Sequence, residues 1–168
     1  NLNAFDSSAV YLKKVIDIPY EPRDVYFYYG KSLWGIRDYE GASEYLLKHL
    51  DWATQQEDYR SSIDDAELYQ LLGDSYYYRK PNDFFNAVKY YKLSIEANPD
   101  QKRIMQNIAV AYHSLRSYVQ AIEYYNKRIE LGIDSSSASI YKNAAYCALN
   151  LAGAEGEDED LEMLGDEE

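Results

Sequence analysis

The sequence predicts an all-α fold built from antiparallel pairs of amphipathic helices. Three observations predict it. Across residues 102–133, KRIMQNIAVAYHSLRSYVQAIEYYNKRIELGI, apolar and large residues recur at helical spacing in two runs. Met105, Ile108, Ala109 and Tyr112 form the first, and Ala121, Tyr125, Arg128 and Ile129 the second. Small residues, Ala109 and Ala121, stand where one helix must lie close against another, with Tyr112, Tyr118 and Tyr125 around them. The same order of small and aromatic residues then recurs upstream.

Taken in order, Asn1 to Asp17 reads as the second helix of a pair whose first helix is missing, with Pro19 and Pro22 breaking the chain after it. Counting back 34 residues from Ala42 lands on the small Ser8, and from Leu46 on Leu12. The next stretch, VYFYYGKSLWGIRDYEGASEYLLKHL, places Tyr26, Tyr29, Gly30, Leu33, Tyr39, Ala42 and Leu46. The one after it places Tyr69, Leu72, Gly73, Tyr76, Ala87, Tyr91 and Pro99 at matching offsets. Gly73 to Ala109 is 36 residues, with the extra length at RKPND, where Pro81 and Asn82 mark a turn. Gly30 to Gly73 is 43 residues, with an insertion near the polar QQEDYRSSI. Asp64 followed by Glu67 predicts a capping box opening the next helix. Finally SSSASIYKNAAYCALNLAG predicts a further first helix, with Ser135 to Ser137 as caps and Gly153 as the stop. Its register is open: Asn143 lies 34 residues after Ala109, but Ala144 and Ala145 are smaller.

This pattern resembles the tetratricopeptide repeat, with a period of about 34 residues and an aromatic, Leu-Gly, Tyr, then Ala, aromatic, Pro signature. The resemblance covers roughly residues 5–151 and implies a right-handed superhelix of antiparallel helix pairs. The expected boundaries are a partial repeat at 1–22, repeats at 23–63, 64–99 and 100–134, a capping helix at 135–153 and an acidic tail at 154–168. The chain begins with Asn rather than Met and so reads as a mature or excised piece.

Composition narrows the function classes. The formal net charge is −12, but the last 14 residues hold nine acids and no base, leaving the body at −3. A near-neutral body argues against nucleic acid as a partner, which needs clustered Lys and Arg. No run of 18 apolar residues exists, so no membrane insertion is expected. The compartment stays open between cytoplasm and bacterial periplasm or cell envelope. Twenty tyrosines suit a thin array, because Tyr packs its ring while sending its hydroxyl to water. The single cysteine, Cys147, excludes an internal disulfide and reads as a buried structural thiol. The tail composition favours disorder, although Leu161, Met163 and Leu164 offer apolar anchors within it.

No catalytic constellation is visible, and no metal or cofactor is expected. His49 and His113 fall in different repeats and read as structural. There is no Gly-rich loop with Lys-Ser/Thr, no HExxH and no paired cysteine. Asp64-Asp65 reads as a helix start, since anions are favoured there.

The resemblance implies instead a protein or peptide partner held on a concave face lined by first helices. By register this gives Asp24, Phe27, Tyr28, Lys31 and Trp34, then Glu67, Gln70, Leu71, Asp74 and Tyr77, then Arg103, Gln106, Asn107, Val110 and His113. The mix of aromatics, amides and both charges is what binding surfaces favour. In the subclass that clamps the acidic C-terminus of heat-shock chaperones, the matching positions here are Phe27, Lys31, Leu71, Arg103 and Asn107. Only Lys31 and Arg103 keep the charge, so no such clamp is expected. The alternative is a module of a larger assembly that self-associates as a homo-oligomer through the apolar edge of its N-terminal helix.

Overall fold

The computed structural model describes residues 2–18, 24–55, 63–132 and 137–165. The described secondary structure is helical: α1 Leu2–Ile16, α2 Val25–Gly35, α3 Tyr39–Thr54, α4 Asp65–Tyr78, α5 Phe84–Ala97, α6 Lys102–Ser114, α7 Tyr118–Glu130 and α8 Ser137–Gly165. Contacts divide the chain into two compact units, Asn1–Pro99 and Asp100–Glu168.

In the first unit α1 packs on α2, α2 on α3, α3 on α4 and α4 on α5. The small residues of the repeat pattern sit at the tightest approaches. A Cβ added at Gly30 would lie 2.8 Å from Leu46 Cγ, and one at Gly73 would lie 2.4 Å from the Tyr91 ring. Ala42, Leu46, Leu72, Ala87 and Tyr91 are fully buried around them. α1 is held by a cluster of Ala9, Tyr29, Leu33 and Ala42, joined by Leu12, Ile16 and Trp34. Its Ser8 hydroxyl hydrogen-bonds that of Ser32 at 2.9 Å.

Three acids open helices in this unit. Asp38 accepts from the Gly41 amide at 3.0 Å, Asp64 from the Ala66 amide at 2.9 Å, and Asp83 from the Asn86 amide at 3.0 Å. Each satisfies an amide that the first helical turn leaves without an internal partner. The Asp64–Glu67 capping box does not form. Asp64 caps as expected, but the Glu67 carboxylate accepts from Lys31 Nζ at 2.6 Å instead of reaching back to its own helix. A full positive charge on α2 outcompetes a backbone amide for that carboxylate.

In the second unit α6 packs on α7 and α7 on α8. Ile108, Ala109, Ala121, Tyr125, Ile140 and Cys147 are fully buried. Burial also raises the Cys147 thiol pKa above its ordinary value. Of the register candidates in α8, Asn143 and Ala144 are half-buried and Ala145 is exposed, with Ile140 and Cys147 buried on either side. The expected stop at Gly153 is overturned, since α8 runs on to Gly165. A single Gly costs a helix only about 1 kcal/mol relative to Ala, and Ala152 and Ala154 flank it. The breaks at Pro19 and Pro22, the caps Ser135 and Ser136, and the side chains of Leu161, Met163 and Leu164 lie outside what is described.

Candidate protein-interaction surfaces

In the first unit the candidate surface lies on α2 and α4. Tyr28 is 47% exposed and meets Phe27 edge-on at 5.3 Å. Beside it the Lys31–Glu67 ion pair joins the two helices, both side chains over a third exposed. Gln70 is half-buried, as is Asp24 at the start of α2. Tyr77 is half-buried among Tyr78, Phe84 and Tyr91. That setting raises its hydroxyl pKa, chiefly by desolvation and then through Tyr78 and Asp74.

Four expected contact residues of this unit are packed inward. Phe27 is 1% exposed, its ring tilted against that of His49 at 5.8 Å. Asp74 is 0% exposed and accepts a hydrogen bond from the Tyr91 hydroxyl at 2.6 Å. Trp34 is half-buried against the α1 cluster. Its indole Nε1 is buried with no hydrogen-bond partner among the described residues. Leu71 is buried as well. All four follow from one cause. A first helix is packed by its own second helix on one side and by a neighbouring helix on another, so few of its faces stay open.

In the second unit Arg103 is exposed, and Gln106, Asn107, Val110 and His113 are half-buried. Val110 and His113 line a crevice of about 610 Å³ with Ser114, Arg116, Tyr118, Asn143, Tyr146 and Asn150. The His113 ring lies 5.3 Å from Tyr146 and 6.1 Å from Tyr118. The register missed the α8 side of this crevice. The signal was present, because Asn143, Tyr146 and Asn150 follow at steps of three and four and form one helical stripe. Arg116 was missed because it lies past the helix end, in a left-handed turn at φ 58°.

His49 is 1% exposed, packed against Phe27 and Trp52, as a structural histidine. Among the described residues no group of three or more His, Cys, Asp or Glu is placed to hold a metal ion. Among them, too, no helix is long and apolar enough to cross a membrane.

These paired helices, with Gly or Ala at each close approach, define a helical-repeat protein. Residues 102–131 match the tetratricopeptide repeat family. The structure of MamA AMB-1 aligns with a TM-score of 0.72 at 18% identity, covering 92% of this chain and 77% of that one. MamA from Desulfovibrio magneticus RS-1, residues 41 to the end, aligns with a TM-score of 0.62 at 19% identity, covering 78% and 68%. The TPR2B domain of yeast Sti1, in complex with pHsp70, aligns with a TM-score of 0.55 at 18% identity, covering 72% and 91%. No curated protein matches by sequence. Residues 102–131 thus carry a tetratricopeptide repeat, and the chain has the all-α fold of tetratricopeptide-repeat structures.

Proposed function

We propose that this chain is a non-catalytic interaction module that holds a peptide or protein partner on the open faces of its first helices. In the first unit that surface is built on α2 and α4, from Tyr28, Lys31, Gln70 and Tyr77. In the second it is built on α6, from Arg103, Gln106, Asn107, Val110 and His113. The observation that carries the reading is Tyr28, an aromatic 47% exposed beside an interhelical ion pair on an otherwise packed helix. Large amphipathic side chains on rigid elements supply contact area at low entropic cost. The likeness to a domain solved in complex with pHsp70 supports a protein ligand. It does not extend to a chaperone-tail clamp, since Phe27 and Leu71, two of the matching positions, are buried and apolar.

The test is affinity capture from native cells with the wild-type chain and Tyr28→Ser, followed by mass spectrometry. A partner retained by the wild type and reduced by Tyr28→Ser is expected. Equal retention by both contradicts the assignment of this face.

A second reading rests on α1. Val10 and Tyr11 on α1, and Ile18 just past its end, are all more than half exposed, apolar side chains of the kind that drive self-association. Light scattering on the eluting protein decides it. Mass that rises with concentration in the wild type, and not in Val10→Glu/Tyr11→Glu, is expected. A concentration-independent monomer counts against it.

A further inference from the structure

We infer that the crevice between α6 and α8 is a subsite for an acidic side chain of the partner, with Arg116 and Asn143 holding the carboxylate. The inference rests on the interaction-module reading and names the chemistry of one place within it. The chain carries a net charge of −12, yet none of the eight residues lining this crevice is an acid. Two of its donors are already committed. Ser114 donates to the Val110 carbonyl at 2.9 Å, and the Asn150 amide to the Tyr146 carbonyl at 2.8 Å. Arg116 has no ion pair and Asn143 no side-chain hydrogen bond among the described residues. The crevice therefore offers a guanidinium and a primary amide as unoccupied donors, the pair that suits a carboxylate.

The wall beside these donors is aromatic. The His113 ring lies near both Tyr146 and Tyr118, so an aromatic or apolar residue next to the acid has aromatic surface to pack on. The first unit provides a contrast. Arg37 occupies the same left-handed position after α2, at φ 68°, and the crevice it lines also contains Asp38 and Glu40. An incoming carboxylate meets like charges there and none in the α6–α8 crevice. An open crevice whose lining carries no acid favours the anion through the absence of repulsion as much as through its two donors.

The test is a titration of the full ¹⁵N-labelled chain with acetylated, amidated Ser-Glu-Tyr-Glu-Ser, which has no terminal carboxylate, and with Ser-Gln-Tyr-Gln-Ser. The Glu peptide is expected to shift the resonances of Val110, His113, Asn143 and Tyr146. The Gln peptide should bind about tenfold more weakly or worse, as expected for loss of a charge-assisted pair. Arg116→Asn tolerates the left-handed turn and removes the charge, and it should abolish the preference. Arg116→Lys should keep it in part. Equal binding of the two peptides, an unchanged preference in Arg116→Asn, or no shift at these residues overturns the subsite. Each of these outcomes leaves the broader reading to the Tyr28-dependent capture, so the two fail separately.

Discussion

The Tyr91 hydroxyl donates to Oδ1 of Asp74 at 2.6 Å, and neither residue has any exposed surface. The bond crosses from α5 to α4, two residues the repeat pattern places in different roles. Tyr91 is a signature core aromatic. Asp74 follows the signature Gly73 and counts by register as a groove residue. The structure makes it the buried partner of that aromatic. Asp74→Ala leaves a buried hydroxyl without this acceptor and should cost about 1–3 kcal/mol. Tyr91→Phe should cost a similar amount, and the double variant less than the sum. Urea unfolding reads all three. A stable Asp74→Ala that fails to capture the partner would return Asp74 to the binding surface.

The glycines divide by what surrounds them. A methyl at Gly73 meets the Tyr91 ring at 2.4 Å, and the ring is held by its bond to Asp74. Gly73→Ala should destabilise by about 1–3 kcal/mol through overpacking. Gly153 has nothing within 4 Å of an added Cβ and lies inside α8, so Gly153→Ala should stabilise that helix by about 0.5–1 kcal/mol. Helicity and thermal unfolding of the two variants should move in opposite directions.

The Lys31–Glu67 pair is short but over a third exposed on both sides. Solvent screens it, so Lys31→Met should change stability by less than about 1 kcal/mol. Its role on the candidate surface is to hold Lys31 in place beside Tyr28. Glu67→Gln should therefore leave the melting temperature nearly unchanged while altering partner retention and its salt dependence.

Asp83 caps α5 and pairs with Arg79 at 2.7 Å. Burial alone pushes its carboxyl upward, but hydrogen bonds from the Asn86 side chain and amide, with Arg79, hold it below the usual carboxylate value. A depressed folded pKa contributes stability above the unfolded value, near 3.9, that is lost as pH falls through the folded value. The stability gap between wild type and Asp83→Asn should be full at neutral pH and shrink below about pH 4. A gap that widens on acidification contradicts the assignment.

Helix pairs and their close approaches were legible because few residues can fill them. Gly30, Gly73, Ala109 and Ala121 each stand where a larger side chain would strike a neighbour, so the period could be read directly. Cap chemistry was half legible. Asp64 has one local role, whereas Glu67 had a competitor 36 residues away that no local pattern reveals. The surface was least legible, because register says which way a residue points on an ideal helix and not what packs over it. Phe27, Trp34 and Asp74 were misplaced for that reason. Arg116 was missed because the helical period ends before it.

The most direct measurement places a photo-crosslinking p-benzoylphenylalanine at Tyr28, at Gln106 or at Phe85, and compares the captured products. Phe85 is 75% exposed on the second helix α5, more accessible than either, and serves as the control. Partner adducts at positions 28 or 106, and none at 85, are predicted. Adducts confined to position 85 would contradict binding through the first helices.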